Sequence, residues 1–332
     1  MKLNLLEHSF KDICREDSTY MEYFYTYMAT KYILKKYYYQ YIRDVNPFFT
    51  DHGEGHIERI FERLYSLLKP HLIDEETITP QARQRINSDK MSDKINAYDL
   101  YLLMCAVLWH DVGNLYGRED HEKKIFKLFS KARGFLHDEN SANMIEKIGK
   151  AHSGNNAIDL NIDKEDYNIE VFTYHPKFLA SLLRIADELD EDRRRISERI
   201  DEIPEESKVY WLFCKCNDSI KVEQDIHDDR KSKIVIEGKM SQSDLFRKYM
   251  KGSLEVTEIY EYIYRVDKIR KELMDCNRYM KPYRFRPPDV IELRLRIVNG
   301  DENIKSIDEI FGPNFGYDTF FKRHKDALEA LS

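Results

Sequence analysis

Tyr98-Asp99-Leu100-Tyr101-Leu102-Leu103-Met104-Cys105-Ala106-Val107-Leu108-Trp109 runs almost without a polar break into His110-Asp111-Val112-Gly113. An apolar run of this length with no polar face predicts a helix buried on most sides. It is too short to span a bilayer. Gly113 is placed to end it as a C′ residue. A buried helix end does not present an imidazole and a carboxylate side by side without partners, because both lose their hydration there. A divalent cation is one partner that satisfies several such groups together.

Outward from this pair, further ligand-type side chains lie at or inside apolar helices. They are Asp51-His52-Gly53-Glu54-Gly55-His56, His137 with His152, and Arg184-Ile185-Ala186-Asp187. A helix from near His52 carries Ile57, Ile60, Phe61, Leu64 and Leu68 at helical spacing and stops at Lys69-Pro70. If it has begun by Asp51, His52 and His56 share one face; Gly53 and Gly55 weaken that geometry. Imidazole and carboxylate together suit Fe, Mn, Co, Ni or Zn, whereas Mg takes fewer imidazoles.

The order His56, then His110-Asp111, then Asp187, in separate helices, resembles the HD superfamily of metal-dependent phosphohydrolases. The resemblance covers residues 45 to 200 and rests on His56-Ile57-Glu58-Arg59-Ile60, Leu108-Trp109-His110-Asp111-Val112-Gly113 and Leu183-Arg184-Ile185-Ala186-Asp187. It implies that His56, His110, Asp111 and Asp187 bind a catalytic metal. Some branches add two histidines before the last Asp and hold a second ion. His137 and His152 occupy similar places, so the resemblance implies two divalent ions (Mn, Fe, Co, Ni or Mg) bridged by Asp111. The Gly-Tyr-Pro signature of the cyclic-di-GMP-hydrolysing branch is absent. Cyclic nucleotide phosphodiesterases carry a general-acid histidine four residues before the first ligand. His52 stands in that relation to His56, with Asp51 where those enzymes have a tyrosine.

Each of these residues also has a plainer reading. His137 and His152 are either ligands or surface and capping histidines. His52 is either the acid or a helix-start residue facing solvent. His121 either lines the substrate mouth or is exposed. Arg184, one turn before Asp187, orients that carboxylate, binds a phosphate as a catalytic group, or forms a structural ion pair. Arg193-Arg194-Arg195 reads as a solvated face, and Glu188 and Asp190 as groups behind the last ligand or in solvent.

The rest of the chain reads as helix up to Pro204. The aromatic stretch Tyr20 to Tyr41 ends at Asn46-Pro47 and packs a broad aromatic face, a core or subunit interface before a ligand platform. Further helices are expected over 119–132, 138–150, 176–190 and 192–203, with a surface excursion over 74–93. After Pro204, short strands are expected over 208–216, 219–224 and 233–237, a helix over 245–280, and an alternating strand over 290–298. The fold expected is therefore mainly α: an all-α HD-domain helical bundle, residues 1–203, with a small C-terminal α+β appendage, residues 204–332.

A formal net charge of −7 over 332 residues argues against unselective binding to duplex nucleic acid. A small anionic substrate stays open, because a bound cation dominates the local field. Five scattered cysteines and a first segment without a signal-peptide core point to reduced thiols in a cytoplasmic protein. The function expected is hydrolysis of a phosphoester or phosphoanhydride of a nucleotide or short oligonucleotide by a metal-activated hydroxide. No membrane or stable duplex partner is expected, and a homo-oligomer is left open. The alternatives are an HD-type di-iron oxygenase and a non-catalytic nucleotide-sensing module.

Overall fold

The structure is a computed structural model. It describes residues 2–15, 18–45, 50–72, 95–117, 121, 124–125, 136–155, 157–169, 172–196, 203–209, 211–224, 232–280 and 287–331. The expected helix 119–132 (apart from His121, Lys124 and Ile125), the excursion 74–93 and Asn46-Pro47 lie outside these residues.

The protein is mainly helical, with a mixed four-stranded sheet near its C-terminus. Helix α1 (Leu5–Arg15) starts with a reciprocal cap: the Asn4 side chain accepts from the Glu7 amide at 2.9 Å and Glu7 accepts from the Asn4 amide at 2.8 Å. Glu7 is fully buried, and Tyr27 Oη and Lys31 Nζ both donate to it. Lys31 also pairs with Glu58 at 2.6 Å, so one cation ties three helices together.

The aromatic stretch forms α2 (Met21–Leu34), a π turn (Lys35–Tyr39) and α3 (Gln40–Val45). Phe24, Tyr27 and Tyr39 face the core; Tyr25, Tyr32, Tyr37 and Tyr41 do not. Helix α4 (Glu54–Leu72) starts two residues after His52 and continues two residues past Pro70. Helix α5 (Ala97–Trp109) is capped by Asn96 and buried along its whole length, as its composition requires. Helix α6 (Glu139–Lys150) is capped by Asp138, and α7 (Ala157–Asn161) follows it. A small hairpin, β1 (Tyr167–Ile169) with β2 (Phe172–Tyr174), precedes α8 (Pro176–Glu188).

Beyond Pro204 the observed elements differ from those expected. The described residues of 208–216 do not form a strand: α9 (Glu205–Lys208) ends there and α10 (Leu212–Cys216) follows. Its run of buried Trp211, Leu212, Phe213, Cys214 and Cys216 has no period that separates a strand from a buried helix. Of the helix expected over 192–203, residues 197–202 lie outside the described residues, and the described start holds a 3-10 turn, Arg193–Arg195. The segment 245–280 is split. Strands β5 (Lys248–Lys251) and β6 (Leu254–Thr257) form a hairpin around Gly252, whose φ of 62° suits glycine, and α11 (Glu258–Met280) follows.

Strands β3 (Asn217–Glu223), β4 (Lys233–Ser241), β7 (Ile291–Asn299) and β8 (Glu302–Phe311) form the main sheet in the order β3-β4-β7-β8. The β4–β7 pair is parallel and the other two are antiparallel. The crossover between β4 and β7 contains the β5–β6 hairpin and α11, as a parallel pair requires. Helix α12 (Tyr317–Glu329) ends the fold, with Phe320 packed on Phe311. A continuous core joins helices and sheet, with Leu108, Leu182, Ile263 and Leu293 all in it. No helix among the described residues is long and apolar enough to cross a membrane. All five cysteines are buried and unpaired.

Candidate metal centre

The ends of four helices deliver ligand-type side chains to the same point. The first turn of α4 brings His56, the end of α5 brings His110 and Asp111, the turn after α6 brings His152, and the last turn of α8 brings Asp187. His121 joins them from the segment beyond the 3-10 turn Val112–Tyr116. Gly113 makes that approach possible: a Cβ there would run into the His121 carbonyl. Gly113 is therefore a packing glycine, not a C′ cap, and has no positive φ.

Two groups meet at Asp111. On the Oδ2 side, His56 Nε2 lies 3.4 Å and His110 Nε2 3.5 Å from Asp111, and both face Asp187 Oδ1, at 3.3 and 3.9 Å. On the Oδ1 side, His121 Nε2 lies at 3.1 Å and His152 Nε2 at 3.8 Å. Asn114 Nδ2 donates to the same Oδ1 at 2.9 Å. His56–His110–Asp187 and Asp111–His121–His152 each bring their ligand atoms within 4.8 Å of one another.

The far ring nitrogens fix the tautomers. His110 Nδ1 donates to the Val107 carbonyl at 2.8 Å, His152 Nδ1 to the Gly149 carbonyl at 2.5 Å, and His56 Nδ1 to Asp190 at 2.6 Å. In the neutral ring this leaves each Nε2 as a lone pair aimed inward. His56 and His110 Nε2 then face each other at 3.3 Å, and His121 and His152 Nε2 at 3.2 Å. In the neutral rings, the opposed Nε2 lone pairs of His56 and His110 beside the carboxylates of Asp111 and Asp187 repel unless a proton or a metal ion sits among them, so the donor set fits metal ions.

Residues 47–249 match the family model HD-CE, more than half of the chain. The chain belongs to the HD-CE family. Comparison with curated proteins and with solved structures finds no match. HD domains are typically metal-dependent hydrolases, and the buried His/Asp groups of this HD-CE domain are consistent with an HD metal site.

Charge in the HD-CE centre follows the same logic. Burial lowers the His56 pKa and Arg195 lowers it further, but Asp111, Asp187 and Asp190 override both and raise it to about 10. A proton and a metal thus compete for one lone pair, and metal binding releases that proton. Burial and His110 push His152 down to about 3, against the pull of Asp187 and Asp111, so it is neutral at pH 7. Burial raises Asp111 and Asp187, yet the surrounding imidazoles hold both well below the usual carboxylate range.

Behind the ligands lies a buried network. Asp190 accepts from Arg59 Nε at 2.7 Å as well as from His56. Arg195, buried, donates to the Asp190 carbonyl at 2.8 Å and the Asp51 carbonyl at 3.3 Å. The reading of the arginine run as solvated fails for Arg195, while Arg193 and Arg194 remain largely exposed. Gly55 admits the Asp51 carboxylate: a Cβ there would lie 2.6 Å from Asp51 Oδ2.

His52 reaches the centre although it precedes α4. Its Nδ1 lies 2.7 Å from Asp111 Oδ2 and 3.3 Å from Arg195 Nη2, so it is buried and does not face solvent. His137 is not brought in. Its ring sits against Tyr23, with Nδ1 3.2 Å from Asp138 and Nε2 3.5 Å from Glu22. His121 stands where His137 was expected. Arg184 is turned away too: its guanidinium binds Glu272 in bidentate fashion at 2.6 and 2.9 Å and the Gly154 carbonyl at 2.8 Å. Asn114 and Arg195 are the members that the sequence reading did not assign to the site, and Asp190, read as a group behind the last ligand or in solvent, lies behind His56 instead.

Proposed function

We propose that this protein is a two-metal phosphohydrolase that cleaves a phosphoester or phosphoanhydride of a nucleotide or short oligonucleotide. The observation that carries the reading is the pair of inward-facing Nε2 sets sharing the two oxygens of Asp111. His56, His110 and Asp187 would hold one ion, and His121 and His152 the other. Bound divalent ions supply a nucleophile at neutral pH and charge stabilisation for a phosphoryl group.

The chain's own residues do the rest. Asp190 and the Val107 and Gly149 carbonyls fix ring orientation, so the ligand atoms need no reorganisation. His52, held against Asp111, is placed to give a proton to a poor leaving group such as an alkoxide.

The test is turnover of deoxynucleoside triphosphates, cyclic nucleotides and short single strands by protein loaded with Mn, Fe, Co, Ni or Mg, alongside elemental analysis. Metal near two per chain with phosphate-ester turnover is the expected result. Metal near two per chain with no phosphate-ester turnover, and oxygen consumption by the iron form, would move the assignment to a di-iron oxygenase.

A further inference from the structure

The α2–α3 region carries a surface that the metal centre leaves unused. Between Glu22 and Asp44 the chain has no Asp or Glu, although 60 of its 332 residues are acidic. The same stretch contains Lys31, Lys35, Lys36 and Arg43. Lys31 is committed to Glu7 and Glu58 in the interior, and Lys35 pairs with Glu54. Lys36 instead lies beside two tyrosines: its ammonium donates to Tyr32 Oη at 3.4 Å and stands 5.6 Å from the ring centroid of Tyr32 and 5.1 Å from that of Tyr37. Tyr32, Tyr37 and Tyr41 are 55%, 54% and 52% exposed.

The π turn separates the two faces of this helix. A π turn inserts one residue and is frequent at functional sites. Its inner side holds Tyr39, whose Oη donates to the Leu108 carbonyl at 2.7 Å, and Tyr38, whose ring centroid lies 6.4 Å from that of Trp109. Both contacts fall on residues immediately before His110-Asp111. The outer side carries Tyr37. The exposed tyrosines therefore stand about one helix diameter, roughly 10 Å, from the wall of the metal centre.

We propose that this face binds single-stranded nucleic acid, with bases stacking on Tyr32, Tyr37 and Tyr41 and a backbone phosphate pairing with Lys36. Aromatic rings accept any unstacked base, and a lysine beside them supplies the matching charge. A duplex keeps its bases stacked internally and offers nothing to these rings. Tyrosine is common at protein interfaces, but lysine is depleted there, and a two-fold dimer would set this patch and its lysine against their own copies, which makes a second copy of this chain the poorer fit. A membrane-surface helix buries leucine and phenylalanine, whereas the exposed side chains here are tyrosine and lysine. The choice of ligand rests on the nucleotide reading of the metal centre; the binding itself needs no metal.

The experiment is fluorescence anisotropy of a labelled oligothymidylate with the full-length protein in EDTA, against a duplex of the same length. Wild type binds the single strand more tightly than the duplex. Tyr37→Ala/Tyr41→Ala weakens single-strand binding about tenfold or more, with Tm and metal content unchanged. Tyr37→Phe/Tyr41→Phe keeps it, because the ring stacks. Lys36→Gln lowers the slope of log affinity against log salt by about 0.7. Unchanged affinity in the double alanine variant overturns the proposal. So does loss of a dimer in sedimentation, or loss of anionic vesicle binding, with oligonucleotide affinity intact. Single-strand binding without hydrolysis of any phosphate ester would leave this surface standing and remove the proposed activity.

Discussion

His121 and His137 are separated by one contact. His121 Nε2 lies 3.1 Å from Asp111 Oδ1, whereas the His137 ring is occupied by Asp138, Glu22 and Tyr23. His121→Ala is therefore expected to lower the metal content from near two to near one per chain, and His137→Ala to leave it unchanged. Elemental analysis of the folded variants decides this; equal loss in both would remove His121 from the ligand set. Asp190 acts one step further back, through His56. Asp190→Asn replaces a carboxylate acceptor by an amide, and metal affinity should fall about 10–100-fold. Chelator competition measures it, and an unchanged affinity would leave the His56–Asp190 contact without a role in the metal site. The residues legible in the sequence were those that follow buried helices in a fixed order: His56, His110, Asp111 and Asp187 all reach the cluster, as does His152. His121 was not legible, because its arrival depends on a close backbone approach to Gly113 that no periodicity encodes. His137 failed for a local reason: the residue after it caps α6, and its own amide donates to Tyr101 Oη.

At the scale of elements, the centre depends on how helices end. Gly113 lies in the 3-10 turn that follows the His-Asp pair, against the backbone of His121 and Ile125. Backbone cannot move aside as a flexible side chain can, so Gly113→Ala should displace the His121 segment. The expected outcome is loss of one metal with the other retained; two metals in Gly113→Ala would refute the packing argument. Helix α6 depends on its first turn. Asp138 accepts from the Ser141 amide at 2.9 Å and from the Ser141 hydroxyl. Burial raises the Asp138 pKa, but these hydrogen bonds outweigh it and hold it below its usual value. A depressed carboxylate pKa contributes stability above the unfolded-state value, and that contribution disappears as pH falls through the folded-state value. Asp138→Ala should cost about 1 kcal/mol at pH 7 and progressively less in acid. Urea unfolding at several pH values checks this, and a constant difference would show that the cap is not the cause. Helices with a strong apolar pattern and a cap or proline at the start were legible. The hairpin at Gly252 was not, because Tyr249 alone among its eight strand residues is buried, which leaves little apolar alternation to read.

Across the whole molecule, α11 lies between the helical bundle and the main sheet. On one side Arg184 binds Glu272, Lys268 binds Glu188 at 2.7 Å, and Arg265 binds Glu191, all on or just after α8. On the other, Tyr262 Oη donates to Asn217 at 2.8 Å at the start of β3, and its ring packs against Gly238 of β4. Helix α4, which carries His56, also reaches the sheet: Arg63 donates to the Ile220 carbonyl and pairs with Asp192 at 2.6 Å. Arg184 precedes Asp187 in the chain and Glu188 and Glu191 follow it, so the contacts to α11 also brace the segment bearing the last ligand. Two consequences follow from that shared segment and from the continuous core. Arg184→Ala should lower Tm, since it leaves the half-buried Glu272 unpaired, while metal content stays near that of wild type. Bundle and sheet should unfold in one cooperative transition. In calorimetry with simultaneous near- and far-UV circular dichroism, wild type is expected to give one peak and coincident curves. Two resolved transitions, with metal released only in the second, would mean that the sheet docks on a bundle that is stable without it.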